Sequence, residues 1–164
     1  MRYLGFLLIS AAAAMLVSER CASILRAARE YESVLSLLLY LKSSVMTERR
    51  TPAEAVIAFS EREEGRDIPW LSELRSEMCV NAFLRERRIL SAESSLDGRE
   101  REALAGLFFE LGKHTAEQEI QRISSIVSLF EKKSTERADS AEKSVKGAWI
   151  LYVTAVIGGF ILVI

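Results

Sequence analysis

The run Gly112-Lys113-His114-Thr115 is the part of this sequence that most invites a chemical reading, because a glycine followed by lysine ends many phosphate-binding loops. Such a loop needs another glycine five positions before Gly112, a hydroxyl residue directly after the lysine, and a preceding strand. Leu107 occupies the first position, Gly106 falls one residue early, and His114 replaces the hydroxyl residue. The flanking pattern is helical, so the run reads as a turn between helices and not as a nucleotide site. His114 is the sole histidine and is expected to be an exposed turn or cap residue. Glu61, Glu63, Glu64, Glu100, Glu102 and Glu110 lie among Arg and Lys at helical spacing and are expected on a solvated, partly paired surface. Cys21 and Cys79 have no CxxC spacing and are expected as free, packed thiols. No run clusters His, Cys or carboxylates as a metal would require. The expectation is a protein with no catalytic, cofactor-binding or metal residues, and not an enzyme.

What remains distinctive is the punctuation of helices. Thr51-Pro52-Ala53-Glu54 is a capping box: the Thr51 hydroxyl can accept from a free backbone N–H, Glu54 can reach back to the cap, and Pro52 sits where its missing N–H costs nothing. A short helix should follow, carrying Val56, Ile57 and Phe59 and ending at Gly65. Pro69 should open another, with Trp70, Leu71, Leu74, Met78 and Phe83 facing inward. Leu96-Asp97-Gly98 reads as a break. The next helix should bury Leu104, Leu107, Phe108 and Leu111, with Gly112 as its C-terminal stop. Thr115-Ala116-Glu117-Gln118 is a second capping box, opening the longest helix with Ile120, Ile123, Val127 and Phe130 on one seam.

Charge distribution sets the larger frame. Of 22 basic and 23 acidic residues, only Arg2 lies outside Glu19–Lys146. The net charge of −1 implies no general attraction to nucleic acid. Residues 147–164 carry no charge, enough for about 27 Å of helix, close to a bilayer's hydrocarbon thickness. Lys146 can snorkel at its start, and Trp149 and Tyr152 suit an interfacial belt. Tyr3–Val17 is shorter and rich in alanine. A cleaved signal would need a stronger basic start and a cleavage site, and Ser18-Glu19-Arg20 before Cys21 does not fit a lipoprotein signal. It is therefore read as a retained membrane helix. Its small residues, and Gly158-Gly159 on the other segment, would allow close helix approach. Neither segment carries a charge that would mark a translocation path, so transport would require assembly with other chains.

Val17, Cys21, Ile24, Ala28, Tyr31, Leu35, Leu38 and Val45 follow four–three spacing interrupted by Lys42, and Leu37, Leu39 and Leu41 widen that apolar surface. On the last helix the seam thins past Glu131 to Ala138, Ala141 and Val145. Basic residues flank both apolar segments on the inner side (Arg20, Arg26, Arg29, Lys132, Lys133, Arg137, Lys143, Lys146), placing that side in the cytoplasm. The expected fold is all-α: a transmembrane helix at 1–18, a cytoplasmic helical bundle at 19–146, and a transmembrane helix at 147–164. Two long antiparallel helices, continuous with the membrane segments, would carry the bundle as a stalk.

The chain resembles the stage III sporulation protein AB family over essentially its whole length. The resemblance rests on Leu111-Gly112-Lys113-His114-Thr115-Ala116-Glu117-Gln118-Glu119-Ile120, on Thr51-Pro52, on the Gly-containing N-terminal segment, and on the ending Ile157-Gly158-Gly159-Phe160-Ile161-Leu162-Val163-Ile164. Ala53 departs from it, where the family often has leucine. The resemblance implies a component of a channel-like complex between mother cell and forespore, located in the mother-cell membrane that faces the forespore. It also implies a soluble region like the cytoplasmic domain of the type II secretion platform protein. By that analogy the partners are a secretion-type ATPase, other membrane proteins of the sporulation channel, the lipid bilayer, and further copies of the chain. A two-pass sensor with a helical stalk is the alternative, favoured by the thinned seam at 131–145 and disfavoured by the near absence of an outer portion. A hydrolase or ligase using surface carboxylates is a more distant third reading.

Overall fold

The computed structural model describes residues 2–48, 50–78 and 82–163. Among the described residues there are six α-helices and no strand. The helices are α1 (Arg2–Ser43), α2 (Pro52–Ser60), α3 (Leu71–Glu77), α4 (Ala82–Ser91), α5 (Gly98–Glu110) and α6 (Ala116–Val163). A π-helical turn at Ser44–Glu48 follows α1, and a 3-10 turn at Glu64–Asp67 precedes α3. The chain divides into two compact units, Arg29–Thr135 and the paired ends Met1–Ala28 with Glu136–Ile164.

In the Arg29–Thr135 unit, every helix contributes to one core. From α1 come Tyr31, Leu37, Leu38 and Leu41, and from α6 come Ile123, Val127 and Phe130, buried as their spacing predicts. α1 also buries Val34, which lies outside the expected seam, while Leu35 on that seam is only partly buried. Tyr31 and Phe130 bring their rings to 6.0 Å, and Trp70 meets Phe108 edge-on at 5.9 Å, a geometry that suits the opposed charge of ring face and edge. Leu104, Leu107, Phe108 and Leu111 are buried as expected from the α5 pattern. α4 packs mainly against α5.

Several details differ from the sequence reading. The helix opened by Thr51 ends at Ser60 and not at Gly65. Gly65 lies in the 3-10 turn, where a Cβ would come within 2.7 Å of the Phe59 carbonyl oxygen, so glycine is required there for the chain to fold back over α2. Pro69 is part of a turn ahead of α3, which begins at Leu71. Trp70, Leu71, Leu74 and Met78 do face inward, but Phe83 is 59% exposed. The expectation treated Pro69 to Phe83 as one helix. The chain instead restarts at Ala82, and the new helical phase turns Arg85 and Ile89 inward. Leu39 is also exposed, because the neighbouring α1 positions 37, 38 and 41 already fill the core-facing arc. Cys79 lies outside the described residues, while Cys21 is free and buried as expected.

In the unit formed by the two ends, Phe6 of α1 meets Phe160 of α6 at 6.3 Å between ring centroids. A Cβ on Gly159 would lie 2.7 Å from the Phe6 ring, so the ring rests directly on the bare glycine backbone. Further along α1, the Ser10 carbonyl accepts a hydrogen bond from the Tyr152 hydroxyl at 3.0 Å. Later residues of α1 thus meet earlier residues of α6, the register of an antiparallel pair. Leu7, Leu8, Ile9, Met15 and Leu16 point outward on one helix, and Ile150, Leu151, Ile157 and Ile161 on the other. Both helices are long and apolar enough to cross a membrane, with 18-residue windows of mean hydropathy 1.5 in each.

Candidate functional site

The sequence motifs resolve into helix termini of definite geometry. Thr51 is extended (φ −65°, ψ 144°), and both arms of its capping box are formed. The Glu54 amide donates to Thr51 Oγ1 at 3.4 Å and the Thr51 amide donates to Glu54 Oε2 at 3.0 Å. These hydrogen bonds hold the Glu54 carboxyl below the usual carboxylate range. Gly112 has φ +85°, the left-handed conformation that releases the chain from α5. The Gln118 side chain accepts from the Thr115 amide at 3.3 Å, supplying one arm of the second box.

The fold brings these two motifs, some sixty residues apart in sequence, to the two walls of one groove of about 550 Å³. Val45, Met46, Arg50 and Pro52 form one wall, and Gly112, His114, Ala116, Glu119 and Ile120 form the other. His114 lies at the rim beside Arg122 (2.6 Å), and Arg122 also pairs with Glu110. Arg122, with His114 behind it, keeps the Glu110 carboxyl below its ordinary range. His114 is therefore a surface residue in a small charged array, as the sequence reading has it.

The carboxylates that matter most to the fold escape a surface reading. Glu100, expected on a solvated face, is buried. It accepts from the Tyr31 hydroxyl at 2.5 Å and from the Asp97 amide at 2.9 Å, forming with Asp97 a capping box that starts α5. Asp97-Gly98-Arg99-Glu100 carries the spacing of such a box, so this signal was present in what was read only as a break. Glu30, also buried, accepts from the Ser94 hydroxyl at 2.5 Å and the Ser95 amide at 2.7 Å. Adjacent residues of α1 thus hold the loop between α4 and α5 by its own backbone. Glu119 does the same at the next turn, accepting from the Gly112 amide at 2.7 Å. No local pattern marks Glu30 or Glu119, because their partners are loop amides.

The three membrane-anchor candidates belong to the unit of paired ends. Lys146 pairs with Glu142 one turn earlier at 2.5 Å, and this ammonium holds the Glu142 carboxyl below its ordinary range. Trp149 is partly exposed and meets Tyr152 edge-on at 5.8 Å, while the Tyr152 hydroxyl is committed to α1. Among the described residues, no group of three His, Cys, Asp or Glu side chains could hold a metal ion.

The arrangement offers buried acceptors that clamp turns, a groove between two helix termini, and two apolar helical ends whose one charge is Arg2. The model of the family described as stage III sporulation protein AB matches residues 2–164. No curated protein and no solved structure matches the chain. Since that match spans essentially its full length, the chain belongs to the stage III sporulation protein AB family.

Proposed function

We propose that the chain is a non-enzymatic platform and adaptor subunit of a mother cell–forespore channel, or secretion-like complex, needed for endospore development. Its two ends cross the mother-cell membrane facing the forespore, and its helical bundle stands in the cytoplasm. There it docks a secretion-type ATPase and meets other membrane proteins of the channel and further copies of itself. It carries no catalysis and no cofactor, and takes no part in nucleic-acid binding.

The observation that carries this reading is the pairing of the two apolar ends through Phe6, Gly159, Tyr152 and Ser10, with large apolar side chains left facing outward. A hairpin of that kind suits lipid on its outer faces and needs no other chain to satisfy its own contact. Membership of a sporulation family supports the biological setting, and the basic flanks support a cytoplasmic bundle. The buried carboxylates Glu30, Glu100 and Glu119 each accept a backbone amide, which fits an architectural use of the ionisable groups.

The full chain in detergent should co-purify with the companion ATPase of the same organism. A strain lacking the gene should complete engulfment and then stall. Wild-type spore numbers without the gene would sink the proposal.

A further inference from the structure

The groove between the Thr51-Pro52 and Gly112–Ile120 motifs contains a feature that the fold itself does not use. Glu119 is 2% exposed, and one carboxylate oxygen, Oε1, accepts from the Gly112 amide. The other, Oε2, is buried with no hydrogen-bond partner among the described residues. A buried carboxylate oxygen without a donor is costly, and a charged donor forms the strongest hydrogen bond available to it. Much of the rest of the wall is apolar: Val45, Met46, Pro52, Ala116 and Ile120.

We propose that this groove receives a lysine side chain of a partner protein, its ammonium meeting Glu119 and its methylene stem lying against Val45, Met46 and Ile120. A single free oxygen suits a point-like ammonium better than the two-pronged guanidinium of arginine, which needs both carboxylate oxygens to pair fully. A four-carbon stem with a charged tip matches an apolar wall leading to one acceptor. The lining cations do not occupy that acceptor. Arg50 has partners within the chain and lies in the field of Glu54, and His114 is engaged by Arg122 and Glu110. Since Oε2 is covered in the free protein, the wall must part to admit the ammonium. Met46 is suited to this: it is unbranched, 58% exposed, and sits on the π-helical turn Ser44–Glu48, an underwound segment of a kind often found at functional positions.

The inference deepens the adaptor reading by giving the chemistry of one contact, and it is testable apart from it. The probe is a fluorescein-tagged acetyl-Leu-Lys-Leu-amide peptide, titrated against the full chain in nanodiscs and followed by anisotropy. The chain carries ¹³C-methyl methionine to report the location of binding. Saturable binding that shifts the Met46 methyl signal is expected, weakened at least tenfold when norleucine replaces lysine in the peptide. Glu119→Gln should weaken it equally, since glutamine keeps a carbonyl to accept from Gly112 but loses the charge. Should Glu119→Gln unfold, Met46→Lys at an exposed position carries the same test by placing a fixed cation at the groove. Equal binding of the norleucine peptide, unchanged binding by Glu119→Gln (or by Met46→Lys where the glutamine variant does not fold), or no binding to the native chain overturns the proposal. If peptide binding fails while the ATPase still co-purifies, the groove is wrong and the adaptor reading stands; the reverse pair of results sinks the adaptor reading alone.

Discussion

Tyr31 illustrates how much structure rests on single polar atoms in this bundle. Its hydroxyl donates to Glu100 and accepts from the Asp97 amide, and its ring packs against Phe130 in the core. Tyr31→Phe keeps the ring contact and removes the donor from a buried carboxylate. It should cost about 2 kcal/mol, the scale of a hydrogen bond to a charged group, read as a lower denaturation midpoint of the full chain in mild detergent. An unchanged midpoint would mean that the Asp97 amide alone satisfies Glu100. Gly112 makes a different kind of demand. A Cβ there would meet nothing within 4 Å, so only its φ of +85° resists substitution. Gly112→Ala should therefore destabilise by about 1 kcal/mol through the backbone alone, with the core unchanged in aromatic circular dichroism.

At the scale of elements, helix boundaries depend on a few terminal groups whose charge state can be changed from outside. The Glu54 and Glu110 carboxyls both titrate below the ordinary value of 4.5, the first through its Thr51 hydrogen bonds and the second through Arg122. A carboxyl lowered in the folded state contributes stability that is fully present above its unfolded pKa and is lost as pH falls through the folded one. Acidification from neutrality to about pH 5 should leave both termini intact, and loosening should appear only below 4.5. Hydrogen exchange at the first amides of α2 would follow it. Glu54→Gln should remove the pH dependence at that terminus. Thr51→Ala should only weaken it, because the Thr51 amide still donates to Glu54, and should cost about 1 kcal/mol of stability as a lost cap. A pH response that persists undiminished in Glu54→Gln would assign it to another group. The loop between α4 and α5 belongs to the same scale. Glu30→Ala should release Ser94 and Ser95 and raise exchange of the Ser95 amide while leaving α2 unaffected.

For the molecule as a whole, the antiparallel pairing of its ends is the property most open to test. Cysteines replacing Ser10 and Tyr152 should be joined within one chain by a short bismaleimide, seen as a shifted band on a denaturing gel. Gly159→Ala should have little effect on that yield, because the Phe6 ring that a Cβ would meet is the far end of a rotatable side chain. Gly159→Leu should lower it severalfold, since the added bulk cannot be absorbed by turning one ring. Equal yields in both variants would show that the approach of the two helices does not depend on Gly159.

Much of this architecture is legible in the residues alone. The two apolar ends, the all-helical class, the α1 and α6 seams and the Thr51 and Gly112 boundaries follow from patterns within one turn of a helix, and such patterns depend on neighbours in sequence. Phe83 was misread because its phase depends on where α4 restarts, and Gly65 because its role is a close approach to Phe59 after the chain has turned back. Glu100 was read as a surface charge, and Glu30 and Glu119 were not singled out at all, because nothing local distinguishes a solvated carboxylate from one that clamps a distant loop amide. Cys21 could be expected inside, since burial is the ordinary fate of an unpaired cysteine. The punctuation around Gly112-Lys113-His114 was thus legible in the sequence as a turn between helices. Only the tertiary structure decided that this turn would face Thr51-Pro52 across a groove, and that Glu119 would stand in its wall with one oxygen used and one without a partner. Helical periodicity specifies which face of an element is apolar. Which distant polar group satisfies which backbone amide is decided only when the elements pack.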